Sequence, residues 1–160
     1  MRNNLKNIKI IATDVDGVLT DSGMYYSPSG DFLKKFHTRD GMGVTILQKI
    51  KIPTIIITKE KTKMVKMWAK KMNIAHLYDG VLNKAEILNK ISKKFDVSSS
   101  EICYLGDDIN DLELLNKVGF SACPKDAVIQ VRKSVDYICK SKGGEGVLRE
   151  IADLIVSKQS

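Results

Sequence analysis

Asp14-Val15-Asp16-Gly17-Val18-Leu19-Thr20 follows directly on the apolar run Ile8-Lys9-Ile10-Ile11-Ala12-Thr13, so two carboxylates and a glycine stand at that run's end. The run reads as a buried strand. Side chains two apart on a strand share a face. Asp14 and Asp16 therefore emerge together at a carboxyl end, where open α/β sheets bind ligands. Two adjacent carboxylates are costly to desolvate unless a cation or a donor meets them. A metal site with one nucleophilic and one proton-shuttling aspartate meets that demand. An acidic turn is the plain alternative, since Asp and Gly both favour turns.

Beyond this stretch, short β-branched runs alternate with helical ones. Strands are expected at Ile8–Thr13, Thr54–Thr58, His76–Tyr78, Ile102–Leu105, Phe120–Ala122 and Tyr137–Ile138. Helices are expected near Gly41–Lys51, Lys61–Met72, Lys84–Phe95, Ile109–Lys117, Ala127–Arg132 and Gly146–Ser157. Strand and helix in alternation imply βαβ units, hence an α/β fold with a doubly wound, mainly parallel sheet. One segment breaks the rhythm: Met24-Tyr25-Tyr26, a Ser-Pro-Ser-Gly-Asp turn, then Phe32–Phe36 read as a β-hairpin inserted at about 23–37. At 160 residues, a single domain spanning 1–160 is the expectation.

Composition narrows the class. Hydrophobic content of 43% and charged content of 28% describe an ordinary soluble globule. No apolar stretch approaches a membrane span, and Met1–Lys6 lacks a leader's apolar core, so no membrane partner is expected. Cys103, Cys123 and Cys139 are odd in number and widely spaced, which fits buried thiols in a reducing cytoplasm. The net charge of +7 invites an anionic partner. Nucleic acid is not favoured, because the lysines lack aromatic interleaving, and Lys63, Lys66 and Lys70 share one solvated helical face. A small anionic substrate needs only a few of these charges in one place.

Gly106-Asp107-Asp108-Ile109-Asn110-Asp111 repeats the opening arrangement at the end of the run Ile102–Leu105. Its carboxylates can converge with Asp14 at one sheet edge. An oxygen-rich cluster without histidine favours Mg²⁺. Capping of the next helix is the plain alternative for Asp108 and Asp111. Thr58 ends the run Thr54–Ile57, as a phosphate ligand or an N-cap, and Lys84 opens a helix, as a counter-charge or a surface lysine.

These four elements, in this order, resemble the haloacid dehalogenase superfamily of phosphohydrolases, a Rossmannoid fold. The resemblance implies that Asp14 attacks phosphorus to form an aspartyl-phosphate and that Asp16 acts as acid and base. It further implies Mg²⁺ on Asp14, the Asp16 carbonyl and Asp107, with Asp111 behind them, and Thr58 and Lys84 on the phosphoryl oxygens. Only 41 residues lie between Asp16 and Thr58 and 25 between Thr58 and Lys84, too few for a cap domain. Cap-less members similar to this chain form homotetramers, and the hairpin looks like their docking element; an ordinary edge hairpin is the alternative.

Finer matches point to the sugar-acid phosphatases of that superfamily: 16–21, 34–41, 77–80, 106–111 and 143–150 resemble that group, implying a small anionic sugar-acid phosphate as substrate. The resemblance places Arg39 at the substrate carboxylate and Lys59, Glu60 and Lys71 at the sugar. Glu60-Lys61-Thr62 resembles the branch acting on nononate or acylneuraminate 9-phosphates, whereas Arg39-Asp40-Gly41 looks more like the 3-deoxy-D-manno-octulosonate 8-phosphate branch. The reading inclines to the former, with the octulosonate phosphate as alternative. A non-catalytic oligomerisation module of the same fold is the competing reading from another class. In the resembling group the Gly143–Gly146 loop reaches a site, often a neighbour's.

Overall fold

The computed structural model describes residues 5–159; Met1–Asn4, part of the segment read for a leader, lie outside them. Six strands form one sheet in the order β5-β4-β1-β6-β7-β8, namely β1 (Ile10–Thr13), β4 (Thr54–Ile57), β5 (His76–Tyr78), β6 (Ile102–Leu105), β7 (Phe120–Cys123) and β8 (Tyr137–Ile138). Every pairing in it is parallel. A separate antiparallel pair, β2 (Tyr25–Ser27) with β3 (Gly30–Leu33), is the expected hairpin.

The helices are α1 (Thr38–Lys49), α2 (Lys63–Lys71), α3 (Ile87–Phe95), α4 (Leu112–Leu115), α5 (Ile129–Arg132) and α6 (Val147–Gln159). Strand periodicity of two divides the core. Ile11, Ile56 and Cys103 face Val44 and Leu47 of α1, Val65 of α2 and Ile151 of α6. Ile10, Ile55, Ile57 and Tyr104 face Ile91 of α3, Leu115 of α4 and Val131 of α5. Both faces of the sheet are thus covered, which is why its strands read as continuous apolar runs. The three cysteines are buried free thiols. Among the described residues, no helix is long and apolar enough to cross a membrane.

Several boundaries differ from expectation for local reasons. β1 starts at Ile10 rather than Ile8, because its neighbour β6 begins only at Ile102, where the two pair. Helix α1 starts three residues before Gly41, since the His37 side chain accepts a hydrogen bond from Arg39 N–H and caps it. Glycines weaken a helix in isolation, but a Cβ on Gly43 would stand 3.0 Å from the Arg149 backbone, so glycine there permits close α1–α6 packing. The segments at Lys84 and Ile109 begin as 3-10 turns (Lys84–Glu86 and Ile109–Asp111) before α3 and α4.

The α1–α6 contact also buries a carboxylate. Asp40 is fully buried, accepts from Arg149 N–H through Oδ1, and leaves Oδ2 without a partner. Burial pushes its carboxyl up to about 7, against the backbone N–H groups of Arg149 and Leu148. A folded-state pKa above the unfolded 3.8 means stability that is fully present below about pH 4 and lost as pH rises through about 7. Urea unfolding of wild type and Asp40→Asn should therefore diverge in slope across that window. The wild type loses on the order of 1–4 kcal/mol relative to the variant; parallel profiles would show that Asp40 folds in as a carboxylate.

Candidate active site

Strand order reverses beside β1: the chain runs from β1 to β4 and β5 on one side, then crosses to β6 on the other. The carboxyl ends of β1, β4 and β6 therefore meet at the switch point where such sheets bind ligands. They deliver Asp14, Thr58 and Asp107 to one open pocket of about 210 Å³. Asp16, Lys59, Glu60 and Lys84 line it too, with Ser22, Asp108 and Asn110.

At its centre lies a buried ion triad. The Lys84 ammonium, 2% exposed as a residue, sits 2.8 Å from Asp14 Oδ2 and 2.7 Å from Asp111 Oδ1. Burial alone would lower the lysine's pKa, but the pairs with Asp14 and Asp111 more than offset it, so Lys84 is held charged. Asp14 Oδ1 accepts from Val15 N–H at 2.7 Å. Even so, desolvation carries the Asp14 carboxyl up to about 7 against the pull of Lys84. Asp107 is pushed up to about 8, by burial first and then by Asp14 and Asp111.

Among the described residues one cation thus faces three carboxylates, and Asp107 Oδ1 is buried with no hydrogen-bond partner. Oxygens of Asp14, Asp107 and Asp111 lie within 4.8 Å of one another. A buried, unpartnered carboxylate oxygen is costly, and a hard divalent ion with oxygen ligands removes that cost. The donor set fits such an ion. Gly17 makes room for it: its φ is +92°, and a Cβ there would fall 1.9 Å from Asp107 Oδ2. Only glycine combines that backbone angle with the approach.

Asp111 plays a different part from its neighbours. Its Oδ1 accepts from Lys84 and from Tyr104 O–H at 2.6 Å, and its Oδ2 accepts from the N–H groups of Asp107 and Asp108 at 3.0 and 3.3 Å. With four donors engaged, it orients Lys84 and the Asp107 loop from behind. Tyr104, fully buried with its hydroxyl held well above the usual range by burial, was not singled out in the sequence. A polar ring inside the run Ile102–Leu105 was the available signal, because a buried tyrosine hydroxyl needs a partner.

The alternative readings resolve residue by residue. Thr58 is not an N-cap, since Thr62 caps α2 through Val65 N–H. Its buried hydroxyl instead accepts from Glu60 N–H at 3.4 Å. Asp108 does cap the following turn, through Ile109 N–H. Lys63, Lys66 and Lys70 are exposed, as a solvated face requires. Gly143 and Gly144 pack on the turn after Asp16: Gly144 N–H donates to the Val18 carbonyl, and a Cβ on Gly143 would lie 2.2 Å from the Gly17 carbonyl. That loop braces the turn that carries Asp16, within its own chain.

Two expected substrate contacts are not brought to the pocket. Arg39 lines a separate depression with Lys140 and Arg149. Lys71, at the end of α2, lines a groove with Phe36 and Trp68, whose rings stack at 4.9 Å. Asp108 lines the pocket as well as capping the following turn, and Ser22 and Asn110, which carry no signal of a site in the sequence, line it too.

Residues 44–151 match the haloacid dehalogenase-like hydrolase family. The chain belongs to that family. Asp14 and Asp16 precede the matched segment, but whole-length relatives cover them. The chain is 33% identical over 159 residues to the 3-deoxy-D-manno-octulosonate 8-phosphate phosphatase of Haemophilus influenzae, covering 99% of this hydrolase and 88% of that protein. It is 35% identical over 154 residues to the enzyme of the same name from Escherichia coli K12, covering 96% and 82%. Among solved structures it resembles the Moraxella catarrhalis octulosonate 8-phosphate phosphatase in complex with magnesium, phosphate and KDO. The TM-score is 0.94 at 35% identity, over 99% of this chain and 91% of that one. A cobalt-bound Haemophilus influenzae structure matches with a TM-score of 0.95 at 33% identity, over 98% and 92%. This hydrolase is a phosphatase.

Proposed function

We propose that this phosphatase removes phosphate from 3-deoxy-D-manno-octulosonate 8-phosphate with Mg²⁺ as its cofactor. The single observation that carries the chemistry is the buried, unpartnered Asp107 Oδ1 beside the Asp14–Lys84 pair. A scaffold has no physical need for such a cluster, which weighs against a non-catalytic module.

In this reading Asp14 attacks phosphorus, giving an aspartyl-phosphate, while Asp16 protonates the leaving sugar oxygen and then deprotonates the water that frees phosphate. The Thr58 hydroxyl and the Lys84 ammonium hold phosphoryl oxygens, stabilising charge as it shifts in the transition state. Asp14, the Asp16 carbonyl and Asp107 would hold the cation, which neutralises charge between nucleophile and phosphoryl group. Lys59 and Glu60, both exposed at the pocket's rim, are placed to meet the sugar.

The inclination to a nine-carbon substrate is replaced by the eight-carbon alternative. It rested on Glu60 and Lys71 together, and Lys71 lies in another groove. Relatives named for the octulosonate phosphate, similar along the whole chain, support the shorter sugar. We further propose a cytoplasmic homotetramer docked through the hairpin. Met24, Tyr26 and Phe32 there are each about two-thirds or more exposed, an apolar surface that a monomer would leave in water, and the free thiols suit a reducing compartment.

Steady-state kinetics on octulosonate 8-phosphate beside nononate 9-phosphate, with Mg²⁺, test the assignment. The expected result is at least tenfold higher kcat/KM for the eight-carbon substrate, a ratio within reach of pocket contacts. Preference for the nine-carbon phosphate would overturn the substrate while leaving the phosphatase in place.

A further inference from the structure

Lys34 immediately follows β3, at the exit of the hairpin, where its neighbours Phe32, Leu33 and Lys35 are exposed. Its own side chain is only 9% exposed, because it turns inward and places Nζ 2.7 Å from Asp16 Oδ1. Pinning a lysine costs side-chain entropy that an exposed ammonium would keep, so the contact is a built feature of the hairpin's base. Lys35 adds a longer tie, 4.0 Å to Asp21 Oδ2, between the same hairpin exit and the turn that carries Asp16.

Thr20 O–H donates to the same oxygen, Oδ1, at 3.3 Å. Both described bonds to this carboxylate fall on Oδ1, which leaves Oδ2 as the oxygen for proton exchange in the pocket. We propose that Lys34 is a positioning residue: through its ion pair with Asp16 Oδ1, the inserted hairpin fixes the carboxylate that exchanges protons with the leaving oxygen and with water. The proposal rests on the reading of Asp16 as general acid and base.

The leaving group separates this role from a structural one. A sugar alkoxide needs the proton that Asp16 donates, whereas p-nitrophenolate departs without one. With Lys34→Met, kcat/KM for octulosonate 8-phosphate should fall roughly 10- to 100-fold while that for p-nitrophenyl phosphate changes less than about threefold, a part of the ~10²–10⁴ that general acid–base catalysis supplies. Lys34→Arg should restore most of the difference, since it returns a cationic donor. Lys34→Gln, read by the same ratio, replaces Lys34→Met should that variant not fold.

Equal losses on both substrates would make Lys34 merely structural. A raised KM with unchanged kcat would make it a sugar contact. Either result, or no loss at all, overturns the proposal. A wild-type protein inert on both substrates would instead overturn the phosphatase reading, and this proposal with it.

Discussion

Asp14→Asn is expected to abolish turnover of the sugar-acid phosphate while leaving a folded protein. The amide is isosteric but a far poorer nucleophile, and loss of a nucleophile that acts as part of a unit removes on the order of 10⁴-fold or more of the rate. Stability should hardly fall, for reasons visible around the residue. Asp14 is nearly buried, and desolvation already raises its carboxyl to about 7, so a neutral group relieves rather than adds strain. Lys84 keeps its 2.7 Å partner in Asp111, and the amide can turn its single oxygen to the Lys84 ammonium, giving up the Val15 N–H bond, worth about 1 kcal/mol net. Measuring kcat together with a thermal melt separates the two effects. Wild-type turnover by the variant would remove Asp14 from the chemistry and with it the aspartyl-phosphate route.

Much of this site was legible because strand ends are legible. Ile10–Thr13, Thr54–Ile57 and Ile102–Leu105 each announce a buried strand, and the residue types just beyond them are conspicuous: Asp14 and Asp16, Thr58, and Asp107. Parallel topology then forces these ends together at the switch point, so little three-dimensional detail was needed to assemble them. Lys84 was legible by its place at a helix start, although nothing in the sequence could show that it lies 2% exposed between two carboxylates.

What escaped the sequence depends on side-chain reach. The Tyr104–Asp111 bond and the Lys34–Asp16 pair join residues 7 and 18 positions apart through a turn and a hairpin whose exact course no period encodes. Arg39 and Lys71 lie away from the pocket for the converse reason. Each lies on a helix beside the site, but the helix phase turns Arg39 toward Arg149 and Lys71 toward Trp68. The start of α1 came three residues earlier than its apolar pattern implied because the His37 side chain caps it through Arg39 N–H, a local bond that no helical period encodes.

Lys84→Met tests the electrostatic core of the molecule rather than its chemistry alone. The wild-type ammonium is the shared partner of Asp14 Oδ2 and Asp111 Oδ1 at 2.8 and 2.7 Å, with side-chain exposures of 1%, 9% and 0% for the three groups. Methionine keeps much of the volume but leaves both carboxylates facing each other without their cation. Breaking a buried pair by removing one partner costs about 3–5 kcal/mol, because the remaining charge is uncompensated. In a chain of this size that lowers the melting temperature by roughly 6–20 °C.

The loss should depend on pH with a defined sign. Carboxylates whose folded pKa lies above the unfolded 3.8, as Asp14's already does at about 7, contribute stability below about pH 4 that disappears as pH rises through the folded value. Removing Lys84 takes away the principal influence that holds the Asp14 carboxyl down, so the variant's deficit should be small near pH 4 and largest at pH 8. Urea unfolding at both pH values, with and without Mg²⁺, measures this directly. Because a bound divalent ion stabilises the folded state in proportion to its occupancy, Mg²⁺ should recover part of the deficit at pH 8 and little at pH 4. Activity should still be lost with the metal present, since the phosphoryl oxygens lack their ammonium. A variant as stable as wild type at pH 8 without metal would show that the three carboxylates are not in electrostatic conflict, and the case for a cation between them would fall.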